Sequence, residues 1–395
     1  MKNIIESIKK MIVLCIIHLF NLLPIKNNKI FLFSYYGAQY GDNPKYISEY
    51  IKENDYQSTY DIVWAFTDLE STQHLSNIRK VKVMSLRYFY ELCTSKIIIT
   101  NFRTTDYFKK RKNQFYVQTW HSSLRLKQIE KDAETVLPSH YVEMAKRDSK
   151  KCDLLLSGCR YSTEIFKRAF WYEGEIFESG IPRNDMLLIA NQDKVKTIKH
   201  QYNLSVDTKV LLYAPTFRKD HSLDVYDLEY ESLIKAAKKK FGGDWVVLVK
   251  LHPHLLSKSN QMEQRKNVID VTASNDIQEL LLIADVLISD YSSLMFDYSL
   301  TNKPCFLYVP DVKQYLEKER SFYFNLKELP FISAQSNADL VREIDLFDEL
   351  TYKQEVQAFL STIGSYERGI SSKLLFNKIN EVCFGDKRRG LHEAI

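Results

Sequence analysis

The sequence is poor in glycine, proline and paired cysteine, and each shortage excludes a class of protein. Only 11 of the 395 residues are Gly and 9 are Pro, which excludes collagen-like and low-complexity architectures. Six cysteines are present, but none belongs to a Cys-x-x-Cys pair and no cysteine–histidine cluster accompanies them. This pattern predicts free, buried thiols in a reducing compartment and no zinc site.

Common catalytic motifs are missing as well. There is no glycine-rich phosphate loop, no Gly-x-Ser-x-Gly, no His-Glu-x-x-His and no Asp-x-Asp, so we expect neither a bound metal nor a cofactor. The net charge of +5 is too small to indicate a nucleic-acid partner. The composition, with 45% hydrophobic and 27% charged residues, is globular, and the length suits two domains.

The N-terminus carries an apolar run, residues 11–25, preceded by Lys2, Lys9 and Lys10. A membrane-spanning helix needs about 20 apolar residues, so this run is short. No small-residue cleavage site follows it, which disfavours a signal peptide. We therefore expect residues 1–27 to form an amphipathic helix on a membrane surface, with its lysines toward anionic headgroups. A helix packed on the protein body, or a spanning or cleaved segment, are the alternatives.

Short runs rich in strand-forming residues alternate with helical stretches along the rest of the chain. The runs are 30–35, 61–66, 81–84, 96–100, 115–120, 210–215, 245–251, 268–271, 286–289 and 305–308. This alternation predicts an α/β protein with two doubly wound, Rossmann-like domains that face each other across a cleft. The predicted divisions are 1–27, a first α/β domain at 28–190, a second at 205–375, and a closing helix and tail at 376–395.

Two candidate site residues follow strands of the first domain. Ligands of open parallel sheets bind outside the carboxyl ends of the strands. His121 directly follows one predicted strand, and an imidazole can accept a proton from an attacking hydroxyl group. Arg183 lies in a Gly-Ile-Pro turn, where its guanidinium can bind a phosphate with two donors. A structural histidine and a solvated turn arginine remain the alternatives.

The second domain offers further polar residues at predicted strand ends. Thr216 and Arg218 follow the run 210–215, and both can reach a ligand there. His252 follows the run 245–251; a metal is disfavoured because no acidic or cysteine ligands accompany it, so we expect a hydrogen bond to a phosphoryl oxygen. Ser292 and Ser293 open a helix, where free N–H groups suit a phosphate, although ordinary caps are the alternative. These residues indicate a phosphate-bearing donor without identifying it.

Five motifs, taken in order, resemble the CDP-glycerol glycerophosphotransferase family of teichoic acid synthesis. They are Trp120-His121, Gly180-Ile181-Pro182-Arg183-Asn184-Asp185, Tyr213-Ala214-Pro215-Thr216-Phe217-Arg218, His252-Pro253 and Ser289-Asp290-Tyr291-Ser292-Ser293. The resemblance covers roughly residues 30–380. It implies a glycosyltransferase-B-like fold in which the first domain serves the acceptor and the second binds the donor.

The resemblance also implies an activity and roles for the candidate residues. An alditol phosphate would pass from a CDP-linked donor, CDP-glycerol by the family name, to a hydroxyl of a lipid-linked or polymer acceptor, releasing CMP. The enzyme would be peripheral, on the cytoplasmic face of the cell membrane. A homo-oligomer stays open, because the sequence does not reveal the oligomeric state. His121 and His252 would be catalytic. The donor contacts would be Arg183, Thr216, Arg218, Ser292, Ser293 and Asp297.

One motif departs from the family pattern and leaves the substrate open. The family usually reads Trp-His-Gly-Thr-Pro-Leu-Lys, whereas this chain has Ser122 and Ser123 after Trp120-His121. The change affects the expected acceptor side, so a capsule or other phosphopolymer stays an alternative to wall teichoic acid. CDP-ribitol, a nucleotide sugar, and a non-catalytic role in binding at the membrane surface also stay open.

Overall fold

A computed structural model describes residues 2–73, 75, 78–189, 191–218, 228–251, 266–318 and 321–385. These residues divide into two compact units. The first contains the chain up to His121, Ile129–Asp185 and the chain from Tyr366 onward, and the second contains Ser122–Gln128 and Met186–Ser365. The predicted domains differ from this division. Ser122–Gln128 belongs to the second unit, which resumes at Met186, whereas residues 1–27 and the chain from Tyr366 onward belong to the first.

Both units are built on parallel sheets. In chain order the strands are β1 Lys26–Phe33, β2 Asp61–Phe66, β3 Arg79–Lys82, β4 Ser95–Thr100, β5 Phe115–Gln118, β6 Leu154–Leu156, β7 Glu175–Phe177, β8 Lys209–Tyr213, β9 Trp245–Val249, β10 Val268–Asp270, β11 Val286–Ser289, β12 Cys305–Tyr308 and β13 Ile332–Ala334. Their apolar residues are buried because helices cover both faces of a parallel sheet. The predicted pair of parallel α/β domains is confirmed.

The helices occupy the intervals between the strands and the two ends of the described chain. They are α1 Lys2–Phe20, α2 Asp42–Asn54, α3 Leu86–Thr94, α4 Ser139–Ser149, α5 Arg160–Ala169, α6 Asp185–Leu188, α7 Gln192–Gln201, α8 Tyr230–Phe241, α9 Ile277–Ile283, α10 Leu294–Ser299, α11 Val312–Lys318, α12 Asn337–Leu346, α13 Glu349–Ile363 and α14 Ser371–Phe384. Short 3-10 turns lie at Tyr35–Gly37, Glu130–Val136, Pro182–Asn184 and Leu326–Glu328.

The sheet of the first unit has the strand order β3-β2-β1-β4-β5-β6-β7, with parallel pairings throughout. Its core joins strand residues such as Leu32 and Ile99 to Ile47 of α2 and Ile379 of α14. The C-terminal helix therefore completes the core of the first unit. It does so because its apolar residues recur at helical spacing and cover one face of the sheet.

A buried ion-pair network crosses one face of the first unit. Lys29 in β1 is fully buried and donates to Glu91 at 2.6 Å and to Thr94 at 2.8 Å. Arg79 of β3 also donates to the Glu91 carboxylate. Burial favours the neutral acid, but the hydrogen bonds and charges of Arg79 and Lys29 outweigh it, so the pKa of Glu91 lies below its ordinary value.

Helix α1 packs on the first unit through one face only. Ile17 is buried against Phe89 and Cys93 of α3. The opposite side is apolar as well, yet Met11 and Leu19 are 59% and 62% exposed. No helix within the described part of the chain has the length and apolar character needed to cross a membrane.

The sheet of the second unit has the strand order β10-β9-β8-β11-β12-β13, again with parallel pairings. Strands β8 and β11 are central neighbours and are buried along most of their length. The order reverses direction at β8, because the chain builds outward to β10 before it returns to β11. This is the switch point at which doubly wound sheets bind their ligands.

Candidate active site

His121 lies in the loop that follows β5, outside the carboxyl end of the first sheet. Its imidazole stacks on the indole of Trp120, with ring centroids 4.6 Å apart and planes inclined by 30°. It also stacks on Phe102, which follows β4, at 5.5 Å and 28°. Two loops after neighbouring strands thus hold the ring by its aromatic faces, so its orientation is fixed by packing.

Backbone positions in left-handed conformations gather around this histidine. Trp120 itself has φ +50°, and Tyr36, whose ring contacts Phe102 at 5.2 Å, has φ +57°. Such conformations are costly for residues with a side chain, and they cluster at functional sites. The other strained residues of this region are Tyr35, Asp42 and Glu130.

A buried carboxylate, Asp42, connects the loop after β1 with Arg183. Asp42 lies at the start of α2 and accepts hydrogen bonds from Asn101 at 2.9 Å and from the Tyr35 hydroxyl at 2.5 Å. The Arg183 guanidinium lies 3.3 Å from the same carboxylate, and both side chains are almost fully buried. A donor contact by Arg183 stays a prediction, and a phosphate at this guanidinium would compete with Asp42. The sequence reasoning missed Asp42, because its partners lie on loops far apart in the chain.

The Gly-Ile-Pro-Arg-Asn-Asp turn also anchors the C-terminal segment of the first unit. Gly180 has φ +81°, and a Cβ atom there would lie 2.7 Å from the Glu367 carboxylate. Glu367 accepts a hydrogen bond from Asn184 at 3.1 Å, and Asp185 accepts the N–H groups of Ser371 and Ser372 at the start of α14. Much of this motif therefore has a structural role.

In the second unit, the loop after β8 is bonded to the loop after β11. The N–H of Thr216 donates to both carboxylate oxygens of Asp290, at 2.9 and 3.0 Å. Ser289, the last residue of β11, donates to the carbonyl of Ala214 at 2.8 Å. Thr216 is therefore held at the switch point of the sheet, where a donor phosphate is expected.

The guanidinium of Arg218 is already engaged by protein groups. It lies 2.7 Å from Asp311 and 2.9 Å from Asp290. The rings of Tyr291 and Tyr315 cover it, at 4.9 and 4.8 Å from their centroids. Burial disfavours its charge, but the two carboxylates outweigh burial and raise the pKa of Arg218. Its predicted phosphate contact stays a prediction, because a phosphate there would compete with two carboxylates.

The two serines before α10 differ in their hydrogen bonds. The hydroxyl of Ser292 accepts the N–H of Leu294 at 3.3 Å, a local contact at the helix start. The hydroxyl of Ser293 accepts the N–H of Leu126 at 3.4 Å. Both side chains are half-buried and retain hydrogen-bonding capacity for a ligand. Asp297, by contrast, is fully buried within α10 and accepts from Gln278 at 3.2 Å.

The segment that directly follows His121 belongs to the second unit. Beyond the bond to Ser293, Gln128 donates to the carbonyl of Ser321 at 2.8 Å, and Tyr323 donates to the carbonyl of Leu126 at 2.7 Å. These main-chain bonds carry no side-chain signature, so the sequence could not show them. His252, the second predicted catalytic histidine, lies outside the described residues.

Comparisons with known proteins agree on one family. The family model described as CDP-Glycerol:Poly(glycerophosphate) glycerophosphotransferase matches residues 15–381. The chain is 34% identical over 371 residues to the teichoic acid poly(glycerol phosphate) polymerase of Staphylococcus epidermidis, covering 90% of this chain and 51% of that protein. It is 30% identical over 378 residues to the protein of the same name from Bacillus spizizenii, covering 92% and 95%.

A solved structure shows the same similarity in three dimensions. The wall teichoic acid polymerase TagF, in a structure described as soaked with CDPG, matches with a TM-score of 0.83 at 31% identity over 97% of both chains. The present chain therefore spans about half of the Staphylococcus epidermidis relative, and nearly all of the Bacillus spizizenii relative and of the TagF chain.

Proposed function

The chain belongs to the CDP-glycerol:poly(glycerophosphate) glycerophosphotransferase family, and on that premise we propose that it transfers glycerol phosphate from CDP-glycerol to a hydroxyl group of a lipid-linked or polymer acceptor. The observation that carries this proposal is the family match over residues 15–381, which includes every candidate site residue. The named relatives make poly(glycerol phosphate) of teichoic acid, which supports the same substrate class here.

The proposed reaction is an in-line displacement at the β-phosphorus of the donor. The acceptor oxygen forms the new P–O bond, and the bond between that phosphorus and the bridging oxygen breaks, so that CMP leaves with the bridging oxygen. His121 accepts the proton of the attacking hydroxyl group. Phosphoryl transfer depends mainly on positioning and charge stabilisation, so a base held by Trp120 and Phe102 suits this role.

The proposed donor contacts fall into two groups. Thr216, Ser292 and Ser293 lie on the loops after β8 and β11, and we propose that their polar groups bind the donor phosphates. Arg183, Arg218 and Asp297 are buried and bonded to protein groups. For these three the donor contact stays a prediction, and a donor group would compete with the protein groups that they already bind. His252 is proposed to stabilise the phosphoryl charge, as the family resemblance implies.

The membrane association of this protein is also a proposal. The exposed side of α1 presents Met11 and Leu19, and Lys9 and Lys10 on the same helix are exposed too. Apolar side chains flanked by lysines suit the boundary between anionic headgroups and acyl chains. We propose that this helix holds the enzyme on the cytoplasmic face of the membrane, where a water-soluble donor meets a lipid-linked acceptor.

The test is CMP release by purified protein with a detergent-dispersed lipid-linked acceptor, offered CDP-glycerol and CDP-ribitol in parallel. We expect acceptor-dependent release with CDP-glycerol and its loss, by about 100-fold or more, in His121→Ala and His252→Ala. His140→Ala is the matched control, because His140 lies exposed in α4. CMP release with CDP-ribitol alone would identify CDP-ribitol as the donor in place of CDP-glycerol. The absence of CMP release with either donor, from protein shown to be folded, would overturn the proposal.

A further inference from the structure

Behind Trp120 lies a fully buried arginine that no substrate could reach. Arg103, in the loop after β4, is 1% exposed. Its guanidinium donates to Glu130 at 2.9 Å, to Asp148 at 3.3 Å and to the hydroxyl of Ser149 at 2.7 Å. The two carboxylates are buried as well, so the charges depend on one another and fix the guanidinium plane.

The same guanidinium packs against one end of a series of contacting rings, and the other end of that series is His121. It lies 3.6 Å from the ring centroid of Phe170 and 5.8 Å from that of Trp120. Phe170 contacts Trp120 edge to face, with centroids 4.9 Å apart. Trp120 then stacks on the imidazole of His121 at 4.6 Å. Two ring contacts, Phe170 with Trp120 and Trp120 with His121, therefore connect the Arg103 guanidinium to the imidazole.

We propose that Arg103 is a positioning residue for His121: held by Glu130 and Asp148, it fixes the Trp120 indole and thereby the imidazole. The inference rests on the proposed function, in which His121 is the base. Trp120 has a left-handed backbone conformation, which surrounding contacts must maintain. The planar face of a guanidinium can pack on two rings while its edge binds carboxylates, which an ammonium group cannot do.

The first variant is Arg103→Lys, which keeps a positive charge for Glu130 and Asp148 but removes the planar face. Since small misplacements of a reacting group can cost about 100-fold in rate, we expect kcat to fall by about 10- to 100-fold. The KM for CDP-glycerol should stay within about twofold, because Arg103 contacts no ligand. The matched control is Arg79→Lys, an arginine that also faces two carboxylates, Asp61 and Glu91, and should leave both constants unchanged.

A double-mutant cycle then tests the route of the effect. In a His121→Ala background, Arg103→Lys should reduce the remaining CMP release by less than about twofold, because the side chain it positions is gone. If Arg103→Lys does not fold, Phe170→Leu enters the same cycle, since it removes the ring between the guanidinium and the indole without changing charge. Melting temperature and circular dichroism establish folding.

The outcomes separate the inference from the proposed function. Full activity of His121→Ala would overturn the base assignment itself. Loss of activity in His121→Ala, combined with an equal further loss from Arg103→Lys, would overturn the positioning role alone. A raised KM with unchanged kcat in Arg103→Lys would also overturn it, because that result indicates a contribution to donor binding.

Discussion

The side-chain amide of Asn43 donates a hydrogen bond to the main-chain carbonyl of Trp120 at 3.1 Å. Its amide oxygen accepts the N–H of Arg183 at 3.0 Å, and the whole side chain is buried. One residue in the first turn of α2 thus ties the loop that carries His121 to the loop after β7. This contact suggests that the placement of the proposed base depends on α2 as well as on aromatic stacking.

Asn43→Ala should therefore reduce both stability and rate. The N–H of Arg183 loses its partner, and an unsatisfied buried group costs roughly 1–3 kcal/mol. We expect a loss of about 2 kcal/mol in the free energy of unfolding, by the same reasoning, and a fall in kcat of about 10-fold. Urea unfolding and CMP release measure the two effects.

The control for this variant lies at the other end of the same helix. Asn54 donates to the carbonyl of Tyr50 at 2.9 Å in the last turn of α2. Asn54→Ala should cost less than about 1 kcal/mol and leave kcat unchanged. Equal rates in Asn43→Ala and wild type would show that the hydrogen bond to Trp120 does not position His121.

Ser292→Ala should weaken donor binding without unfolding the protein. A hydrogen bond to a charged phosphate contributes roughly 1.5–3 kcal/mol, so the KM for CDP-glycerol should rise about 10-fold or more. The substitution removes only one local bond, to Leu294 at 3.3 Å, so the melting temperature should change little. Steady-state CMP release at varied CDP-glycerol, and calorimetric titration with CDP, measure the effect.

A serine that caps another helix of the same unit supplies the control. The hydroxyl of Ser336 accepts the N–H of Asp339 at 3.1 Å at the start of α12. Ser336→Ala should lower the free energy of unfolding by about 1 kcal/mol and leave KM unchanged. If both variants change stability and neither changes KM, Ser292 is an ordinary cap.

Most strands could be predicted from their apolar runs, whereas three of the shortest could not. Predicted runs correspond to β2, β4, β11 and β12, where nearly every residue is apolar or β-branched. Strands β6, β7 and β13 were not predicted, since three residues are too few to show a period, although β10, which is equally short, lies within the predicted run 268–271. β1 begins at Lys26, earlier than the predicted run 30–35. The burial of Lys29 in this strand depends on Glu91, which is 62 residues away, so the local sequence does not show that Lys29 can be a strand residue.

The candidate site was predictable to the extent that its residues directly follow strands. His121, Thr216 and Ser292 have that property, and the structure places them in loops after β5, β8 and β11. Asp42 and Asn43 do not, and Arg103 follows β4 but has a buried side chain. Their importance comes from contacts between loops that are distant in sequence, and no local pattern encodes such contacts.

Low pH should reduce the stability of the fold, because Glu91 becomes protonated. Its folded-state pKa lies below the ordinary value of 4.5, so its contribution to stability is present above that pH and is lost as the pH falls through the folded-state pKa. We expect the urea midpoint to fall between about pH 5 and pH 3, and to fall less in Glu91→Gln. At pH 7 the variant should be less stable by about 3 kcal/mol, because Lys29 stays buried without its carboxylate.

An exposed glutamate provides the comparison for this pH dependence. Glu164 pairs with Lys167 at 2.8 Å on the surface of α5, where solvent screens the charges. Glu164→Gln should keep the wild-type midpoint at every pH. A Glu91→Gln variant whose midpoint falls as steeply as that of wild type would assign the acid sensitivity to other carboxylates.

Leu19→Glu should detach the protein from membranes while leaving its fold intact. Leu19 is 62% exposed on α1, opposite the face that packs Ile17 against Phe89, so the new carboxylate costs little in water but much at an anionic bilayer surface. We expect cosedimentation with vesicles that contain anionic lipid to fall at least about 10-fold. Leu346→Glu, at a 69% exposed apolar residue of the second unit, should bind as wild type does. Undiminished binding of Leu19→Glu would exclude this face of α1 as the membrane contact.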